Sequence, residues 1–295
     1  MGRYRRVTPR HAVSDGAMRP LFLLVLLAVG TTGRAVAGPP FLTDDPVPTD
    51  YQHYEVYAFA QVERNAGVAT TTAAPAVEFN WGALPNVQVS LSVPYAHLSV
   101  PATSMANPQQ IPGTTVGGFG DTELGVKYRF LQEVGGRPQI SFYPAIEVPT
   151  GNKGNGIGNG RAWYRFPLWL QESWGKWTTY GGGGYAINPA PGSTNFAFGG
   201  LLVQRDFSEN VSVGAELYYQ GPQFVGDRPC TLYNAGSFIT LTKSFALLFS
   251  LGHSFAGDNE SVAYFALGWS GALHRGNHLL DAFVPRATPI ETILH

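Results

Sequence analysis

His97 and Ser99 are separated by one residue in a stretch of alternating apolar side chains, so a β-strand would place both on one face. A histidine that takes the proton of a serine hydroxyl creates a nucleophile that can attack esters. The third group, which would orient the histidine, is missing from any matching strand position, and the loop residue Asn107 is the nearest candidate. The pair is therefore either a hydrolase fragment or a coincidence at the end of a strand.

A second group of residues with potential chemistry is mostly charged and falls on the polar face of predicted strands. The group comprises Glu78, Asp121, Glu123, Lys127, Arg129, Glu147, Arg165, Arg205, Glu216 and Tyr218. These side chains either line a polar path for a solute or pair with one another and fill a narrow interior. The sequence leaves both interpretations open.

Asp44-Asp45-Pro46 is a third candidate site. Two adjacent carboxylates could bind a cation, but aspartate before proline is more often part of a turn. The segment could also fold back into the interior of the protein as a plug. We find no cofactor-binding or energy-coupling motif, and we predict neither a cofactor nor a metal.

The elements that must position these residues are strands, because apolar and polar side chains alternate along much of the chain. The pattern is clearest where Leu124 and Val126 alternate with Glu123 and Lys127. The predicted strands cover about 53–62, 71–81, 86–98, 119–132, 138–148, 162–172, 177–187, 195–206, 210–220, 231–242, 245–255 and 261–269. Each has about 9–14 residues, enough to cross a membrane when tilted, whereas strands of soluble sheets cluster near 5–6 residues.

The connections between these strands alternate between long and short, with every odd-numbered connection longer than its neighbours. A transmembrane barrel sorts its loops in this way, because its periplasmic turns are short and its extracellular loops are long. We therefore predict an all-β fold over 53–269, a transmembrane antiparallel up-and-down β-barrel of about 12 strands. Both chain ends then lie on the periplasmic side of a bacterial outer membrane, and 99–118 is the candidate external lid.

Aromatic residues mark both ends of the predicted strands. Trp174, Trp177 and Phe207 lie beside short turns, and Tyr95 and Trp163 lie toward the long loops. Two such bands match the interfacial girdles of membrane barrels.

Composition and the N-terminal pattern indicate export. Only 13% of the residues are charged, against about 25% in soluble domains, and a net charge of −1 gives no reason to expect a nucleic-acid partner. The apolar run 21–30 is too short to span a membrane and precedes Ala35-Val36-Ala37, a cleavage pattern. We predict a signal peptide over 1–37 with translation starting at Met18. A periplasmic segment or plug over 38–52 and a tail over 270–295 flank the barrel.

Three stretches of the chain resemble the outer-membrane transporter family of the MetA pathway of phenol degradation. They are Phe41–Pro46, Gly118–Arg129, and Val148–Asn152 with Gly158–Gly160. The resemblance runs over about 40–269 and implies a Gram-negative outer-membrane barrel for small, often aromatic compounds, with no catalytic residues. The His97 and Ser99 spacing separately resembles that of outer-membrane phospholipase A, a twelve-stranded barrel that acts on lipid from its outer wall.

From these patterns we expect an outer-membrane channel for the passive passage of small, hydrophobic or aromatic compounds. The alternatives are an outer-membrane lipid hydrolase that uses His97 and Ser99, and a structural barrel with a filled lumen. The expected partners are outer-membrane lipid, a small-molecule solute and the assembly machinery. That machinery reads a terminal aromatic pattern such as Phe265, Leu267 and Trp269.

Overall fold

The chain forms a closed antiparallel β-barrel with twelve strand positions in its wall. The computed structural model describes residues 40–67, 69–104, 110–111 and 113–273. The barrel closes because β1 pairs with β16 along its whole length, from His53 opposite Ala272 to Asn65 opposite Glu260. Closure leaves no unpaired sheet edge, which a lipid environment could not satisfy. The predicted barrel fold and its twelve strands are confirmed.

The strands of the described residues are β1 (His53–Asn65), β2 (Ala69–Leu84), β3 (Val87–Val100), β4 (Thr103–Ser104), β5 (Gln110–Ile111), β6 (Thr114–Phe119), β7 (Thr122–Leu131), β8 (Gln139–Phe142), β9 (Ala145–Val148), β10 (Trp163–Trp174), β11 (Trp177–Ile187), β12 (Phe196–Asp206), β13 (Val211–Gln220), β14 (Cys230–Thr240), β15 (Phe245–Ala256) and β16 (Glu260–Ala272). The short strands β4 and β5 pair only with each other, in the loop that follows β3.

Two positions in the wall are each built from two strands. Both β6 and β7 pair with β3, and the break between them falls at Gly120 and Asp121. A side chain at Gly120 would put its Cβ 2.4 Å from Cγ of Pro94, so only glycine fits there. Similarly, β8 and β9 both pair with β7 and β10, with a break at Tyr143 and Pro144, where proline has no N–H to donate.

Side chains alternate between an apolar outer face and a mostly polar inner face. In β7, Leu124, Val126 and Tyr128 are 42%, 44% and 50% exposed, whereas Glu123 and Lys127 are buried. Exposed apolar residues recur in this way around the wall, and a continuous apolar surface of this kind is typical of contact with lipid. Within the described residues, no helix is both long and apolar enough to cross a membrane.

One aromatic residue departs from the predicted girdles. Trp163 lies on the inner face of β10, only 1% exposed, because the strand alternates Trp163, Arg165 and Trp169 inward against Tyr164 and Phe166 outward. The bulk of Trp163 therefore fills the lumen instead of anchoring the barrel at the membrane interface.

The predicted strict alternation of loop lengths is wrong at the last pair of connections. The connection between β14 and β15 spans 241–244, and the next one spans only 257–259. Strands β15 and β16 flank this last connection and extend into it, to Ala256 and from Glu260, beyond the predicted bounds 245–255 and 261–269. The four longest connections, 101–113, 149–162, 188–195 and 221–229, still gather at one end of the barrel, which we call the long-loop end. The opposite end is the short-turn end, and both His53 and Ala272 lie there.

The proposed signal peptide over 1–37 lies outside the described residues, as do residues 38–39 and the tail from residue 274 onward. Residues 270–272, which we had assigned to the tail, belong to β16.

Candidate functional site

Residues 40–52, called the N-terminal segment from here on, run through the lumen before β1 begins. They belong to no strand, yet Thr43, Asp44 and Phe41 are only 0%, 5% and 6% exposed. Their partners are inward side chains of β3, β7, β13 and β15, which lie on different sides of the barrel. The segment therefore crosses the lumen in the half that is nearer to the short-turn end.

Glu216 of β13 binds the first residues of the segment. Its Oε1 accepts a hydrogen bond from the Leu42 N–H at 2.9 Å, and its Oε2 accepts one from the Thr43 N–H at 2.8 Å. The Asn234 Nδ2 group also donates to Glu216 Oε1, at 2.8 Å. Hydrogen bonds to an ionised acceptor are stronger than neutral ones, so this carboxylate fixes the segment at two consecutive peptide groups.

Lys127 of β7 binds the acidic part of the segment. Its Nζ donates to Asp44 Oδ1 at 3.1 Å and to the Asp45 carbonyl oxygen at 2.9 Å, and it lies 4.0 Å from Asp45 Oδ1. The ammonium also lies 5.1 Å from the centre of the Tyr143 ring. A single cation thus holds both aspartates that the sequence offered as a cation site.

Asp45 has an unusual protonation equilibrium. Burial raises the pKa of this carboxyl to about 6, and the neighbouring carboxylate of Asp44 acts in the same direction. The Lys127 ammonium and, more weakly, a hydrogen bond from the Val47 N–H and the Arg129 charge oppose the rise. Asp45 therefore changes charge near pH 6.

The last residues of the segment, which lead into β1, are held beside β2 and β3. Gln88 Oε1 accepts hydrogen bonds from Thr49 N–H at 2.7 Å and Thr49 Oγ1 at 3.0 Å. Asp50 packs so closely on β2 that a Cβ at Gly82 would lie 1.9 Å from the Asp50 carbonyl oxygen. Glycine at position 82 is thus required by the path of the segment.

Aromatic side chains fill the lumen between the segment and the long-loop end. The aromatic cluster consists of Trp163, Trp169, Phe196, Phe198 and Tyr218, and Leu42 of the segment packs against it. The ring centres of Trp163 and Phe196 are 6.2 Å apart, and those of Phe196 and Phe198 are 6.3 Å apart. The interior is therefore charged and polar around the segment and becomes largely apolar toward the long-loop end.

One ion pair borders the aromatic cluster. The Arg165 guanidinium pairs with Glu123 Oε2, and its Cζ lies 5.7 Å from the centre of the Trp163 ring. Glu147 is the cross-strand neighbour of both Glu123 and Trp163, so it lies beside this pair. Arginine suits such a site because its planar group can stack on a ring while it binds a carboxylate.

The long-loop end is narrowed by the connection 149–162. Asp121 Oδ1 accepts a hydrogen bond from Gly151 N–H at 2.8 Å, and its Oδ2 accepts one from Asn159 N–H at 2.5 Å. Ile157 and Asn159 of this connection are 4% and 5% exposed. We had predicted the loop 99–118 as the lid. Part of that loop lies outside the described residues, so its role as a lid stays a prediction; the connection 149–162 packs inward.

Nine of the ten residues predicted to line the lumen are inward-facing. They are Glu78, Asp121, Glu123, Lys127, Arg129, Glu147, Arg165, Glu216 and Tyr218. Arg129 lies nearest the short-turn end, where it donates to Asn86 Oδ1 and Gln139 Oε1. These residues do not form one cluster, because they follow the lumen from the short turns to the loops.

Arg205 is the exception, and its predicted inward position is wrong. It lies on the exposed outer face of β12, with its Cζ 5.2 Å from the ring centres of both Trp177 and Phe207. Leu202 is buried on the inner face, so period-two alternation turns position 205 outward. An arginine at this height can place its charge at the membrane surface while its stem lies against apolar rings.

The sequence profile of the family described as "Putative MetA-pathway of phenol degradation" matches residues 60–270. The chain belongs to this family. The matched region contains every residue of the predicted lumen set but begins after the N-terminal segment, so the Phe41–Pro46 motif precedes it.

Solved structures include barrels of the same kind. The COG4313 outer membrane channel from Pseudomonas putida F1 has a TM-score of 0.57 at 14% identity, over 77% of this chain and 98% of that channel. The KdgM porin has a TM-score of 0.48 at 10% identity, over 72% of this chain and 98% of the porin. At 14% identity the first likeness shows a shared barrel fold. No curated protein sequence matches the chain.

The family member described here carries His97 and Ser99 on the outer face of β3, as predicted. Ser99 Oγ lies 3.2 Å from Thr115 Oγ1, and the His97 ring packs edge-on against Tyr95 with centres 5.2 Å apart. Among the described residues, no hydrogen bond joins His97 to Ser99 or to an orienting carboxylate or amide.

The described part of the chain contains no group of three or more His, Cys, Asp or Glu residues that could hold a metal ion. At Asp44 and Asp45 the positive charge comes from Lys127.

Several residues of the site were missed because they are uncharged. Gln88, Asn234 and Ser250 all face inward and all bind the segment or its anchors. The sequence signal that could identify them is the same as for the charged residues, a polar side chain at an inward strand position.

Proposed function

We propose that this protein is an outer-membrane channel for the passive passage of small, hydrophobic or aromatic molecules, with both termini on the periplasmic side. Lipid covers its apolar outer wall, and the solute is its partner within the lumen. The family description supports the solute class, and the apolar outer face supports the location. Insertion of such a wall requires the outer-membrane assembly machinery.

This proposal rests on one observation. The peptide that fills the half of the lumen nearer the short-turn end, the N-terminal segment, is not part of the barrel wall. The N-terminal segment contributes no strand to the sheet, whose twelve positions close without it. Its anchors are side chains of the inner face, Gln88, Lys127 and Glu216. If the segment leaves, the wall stays intact, and its polar inner face lines the part of the lumen that the segment occupied.

The segment therefore acts as a plug in this proposal. Three anchors hold it, with Gln88 and Lys127 paired across β3 and β7 and Glu216 on β13 on the other side of the barrel, so no single thermal opening of one contact releases it. Buried polar groups in the lumen would regain water when the segment leaves, which lowers the cost of release compared with the opening of an apolar core.

A reversible lock tests the plug. A Cβ at Gly200 would lie 2.0 Å from Thr43 Oγ1, so a small shift of the segment brings Thr43→Cys and Gly200→Cys to disulfide geometry. The double variant, made in a Cys230→Ser background, is inserted into planar membranes with a lipopolysaccharide outer leaflet. Ionic current and the flux of phenol are measured before and after reduction.

We expect the oxidised protein to be nearly closed and the reduced protein to conduct ions and to carry phenol faster than a protein-free membrane does. Cys230→Ser alone serves as the control for the effect of the reductant. A protein that carries no ions and no phenol in either state, and equally none after deletion of residues 40–50, contradicts the channel function.

That negative outcome would support the second candidate, a structural barrel with a permanently filled lumen. A specific observation favours it, because the segment, the aromatic cluster and the connection 149–162 together occupy the interior from the short turns to the loops. The two candidates differ in whether removal of the segment opens the lumen.

A further inference from the structure

A short polar row interrupts the apolar outer wall near the long-loop end. Arg64 of β1 is directly opposite Ser261 of β16, and Ser261 is directly opposite His253 of β15. Opposed residues of neighbouring strands share one face of the sheet. Here it is the outer face, because the adjacent residues Glu63 and Val262 are buried on the inner face. The wall therefore presents a cation and two polar side chains side by side on the surface that faces lipid.

The polar row lies where the apolar surface of these three strands ends. Two residues closer to the middle of each strand, the opposed outward residues are Val62, Ala263 and Leu251, and all three are apolar. On the outer face of a membrane barrel, a change from apolar to polar side chains marks the boundary between hydrocarbon and headgroups. In the orientation proposed above, the row therefore meets the headgroups of the outer leaflet.

The described part of the chain does not neutralise the charge of Arg64. The side chain is exposed, and no hydrogen bond, ion pair or ring contact joins it to another described residue. The nearby carboxylates of Glu63 and Glu260 face the lumen, and Asp258 of the adjacent turn forms no ion pair with it. Arg205, the outward arginine near the short-turn end, instead lies 5.2 Å from two ring centres. The Arg64 guanidinium is thus available to an anionic group of a lipid.

His253 orients the hydroxyl group of Ser261. Its Nδ1 lies 3.0 Å from Ser261 Oγ. When the ring carries its proton on Nδ1, it donates to Oγ, and the serine keeps its own hydrogen for a ligand. The hydroxyl group then acts as a second donor beside the guanidinium of Arg64.

We propose that Arg64, Ser261 and His253 form a binding site for a phosphate group of the lipopolysaccharide in the outer leaflet. The planar fork of Arg64 matches two phosphate oxygens, and Ser261 donates to a third. His253 is a positioning residue that holds the serine. The acyl chains lie against the apolar residues nearer the middle of the same strands. The inference rests on the proposed location and orientation of the barrel, and it adds a lipid ligand outside the lumen.

Two glycolipids with the same acyl chains separate recognition of the phosphate from packing. One is lipid A with both phosphates, and the other is the same lipid A after both phosphates have been removed. The mature protein is refolded in detergent, so that it carries no lipopolysaccharide from a cell. Native mass spectrometry over a lipid titration then gives the dissociation constant of each lipid. The variants are Arg64→Gln, which removes the charge, and Ser261→Ala, which removes the second donor.

Arg161→Gln is the matched control. It removes one exposed arginine charge at the same end of the barrel, just before β10, which lies across the barrel from β1. We expect wild type and Arg161→Gln to bind the phosphorylated lipid about tenfold more tightly than the dephosphorylated one, as hydrogen bonds to a charged group allow. Arg64→Gln should bring this ratio to about one, and Ser261→Ala should lower it by about threefold. Neither change should alter binding of the dephosphorylated lipid.

Equal binding of the two lipids by wild type overturns the proposal, as does an unchanged ratio in Arg64→Gln. An equal loss in Arg161→Gln also overturns it, because the phosphates would then respond to positive charge in general. Resistance to unfolding in cold SDS shows that the barrel of each variant has formed. If Arg64→Gln does not fold, an unchanged ratio in Ser261→Ala overturns the site.

The outcome for this site is separable from the outcome for the channel. A barrel that conducts but does not prefer the phosphorylated lipid refutes only the lipid site. One that prefers this lipid but never conducts refutes only the channel function.

Discussion

The ammonium of Lys127 donates a hydrogen bond to the carboxylate of Asp44 at 3.1 Å, and the two side chains are only 5% and 7% exposed. The pair joins the wall of the barrel to the segment that fills it. A buried ion pair gains little over an apolar pair of the same shape, but the removal of one partner leaves a buried charge that is costly. The contact is therefore well suited to specify one docked position.

Lys127→Met should release the N-terminal segment. Loss of the cation leaves Asp44 and Asp45 buried without their countercharge, at a cost of about 3–5 kcal/mol. That cost shifts the docking equilibrium by roughly a hundredfold or more, and we expect a larger ionic current in planar membranes. Lys176→Met, in an exposed short turn, is the control and should leave the current unchanged.

Asp44→Asn combined with Lys127→Met should restore part of the docking, since the pair then lacks both charges. If the single variant conducts no more than wild type, Lys127 does not hold the plug.

Glu216→Gln should loosen the first residues of the segment, around Leu42 and Thr43. The amide keeps one acceptor oxygen but turns an NH₂ group toward a backbone N–H, so one of the hydrogen bonds from Leu42 and Thr43 is lost. The cost is about 1–3 kcal/mol, and hydrogen exchange at these two amides should accelerate by roughly tenfold or more. Glu172→Gln, exposed on β10, should not change either rate. Unchanged exchange at positions 42 and 43 would contradict the anchor.

The strands and most of the inward residues could be predicted because they depend on local alternation. Glu123 and Lys127 alternate with large apolar residues in β7, and the period of two places them inward whatever the rest of the chain does. Arg205 was misplaced because Gly199 and Gly200 interrupt the apolar pattern of β12, and without that pattern the two faces look alike.

The position of the N-terminal segment could not be predicted from local pattern. Its contacts join Leu42 to Glu216, 174 residues later, and Asp44 to Lys127, 83 residues later. Sequence periodicity describes which face a residue occupies but contains no information on which distant charge it meets. The Asp44-Asp45 pair therefore suggested a cation, and only the fold shows that the cation is a lysine.

Asp121→Asn should free the connection 149–162 at the long-loop end. The asparagine keeps one acceptor oxygen, which can satisfy only one of the two N–H donors, Gly151 or Asn159, because the new NH₂ group is itself a donor. We expect faster cleavage of this connection by an added protease, by roughly five- to tenfold for about 1–1.4 kcal/mol of lost docking. Lys153→Gln, exposed in the same connection, is the control. Equal cleavage of the Asp121 variant and wild type would show that the carboxylate does not hold the loop.

The docking of the segment should also depend on pH through Asp45. Its pKa is about 6 in the docked segment and about 3.8 when the segment is solvated, so docking takes up a proton between these values. The favourable contribution of Asp45 to the free energy of docking is fully present below about pH 3.8 and declines as the pH rises. It is lost once the pH passes about 6, so the current should rise over that window and then level off.

The limit of this effect is about 3 kcal/mol, from about 1.36 kcal/mol per pKa unit, and it is an upper limit because the Asp45 side chain retains 18% exposure. Asp45→Asn removes the titrating group and keeps the shape. Other carboxylates in the lumen titrate in both proteins, so the current of wild type relative to Asp45→Asn isolates the one residue. Current–pH curves that run parallel from pH 4 to pH 7 would show that Asp45 does not couple protonation to docking.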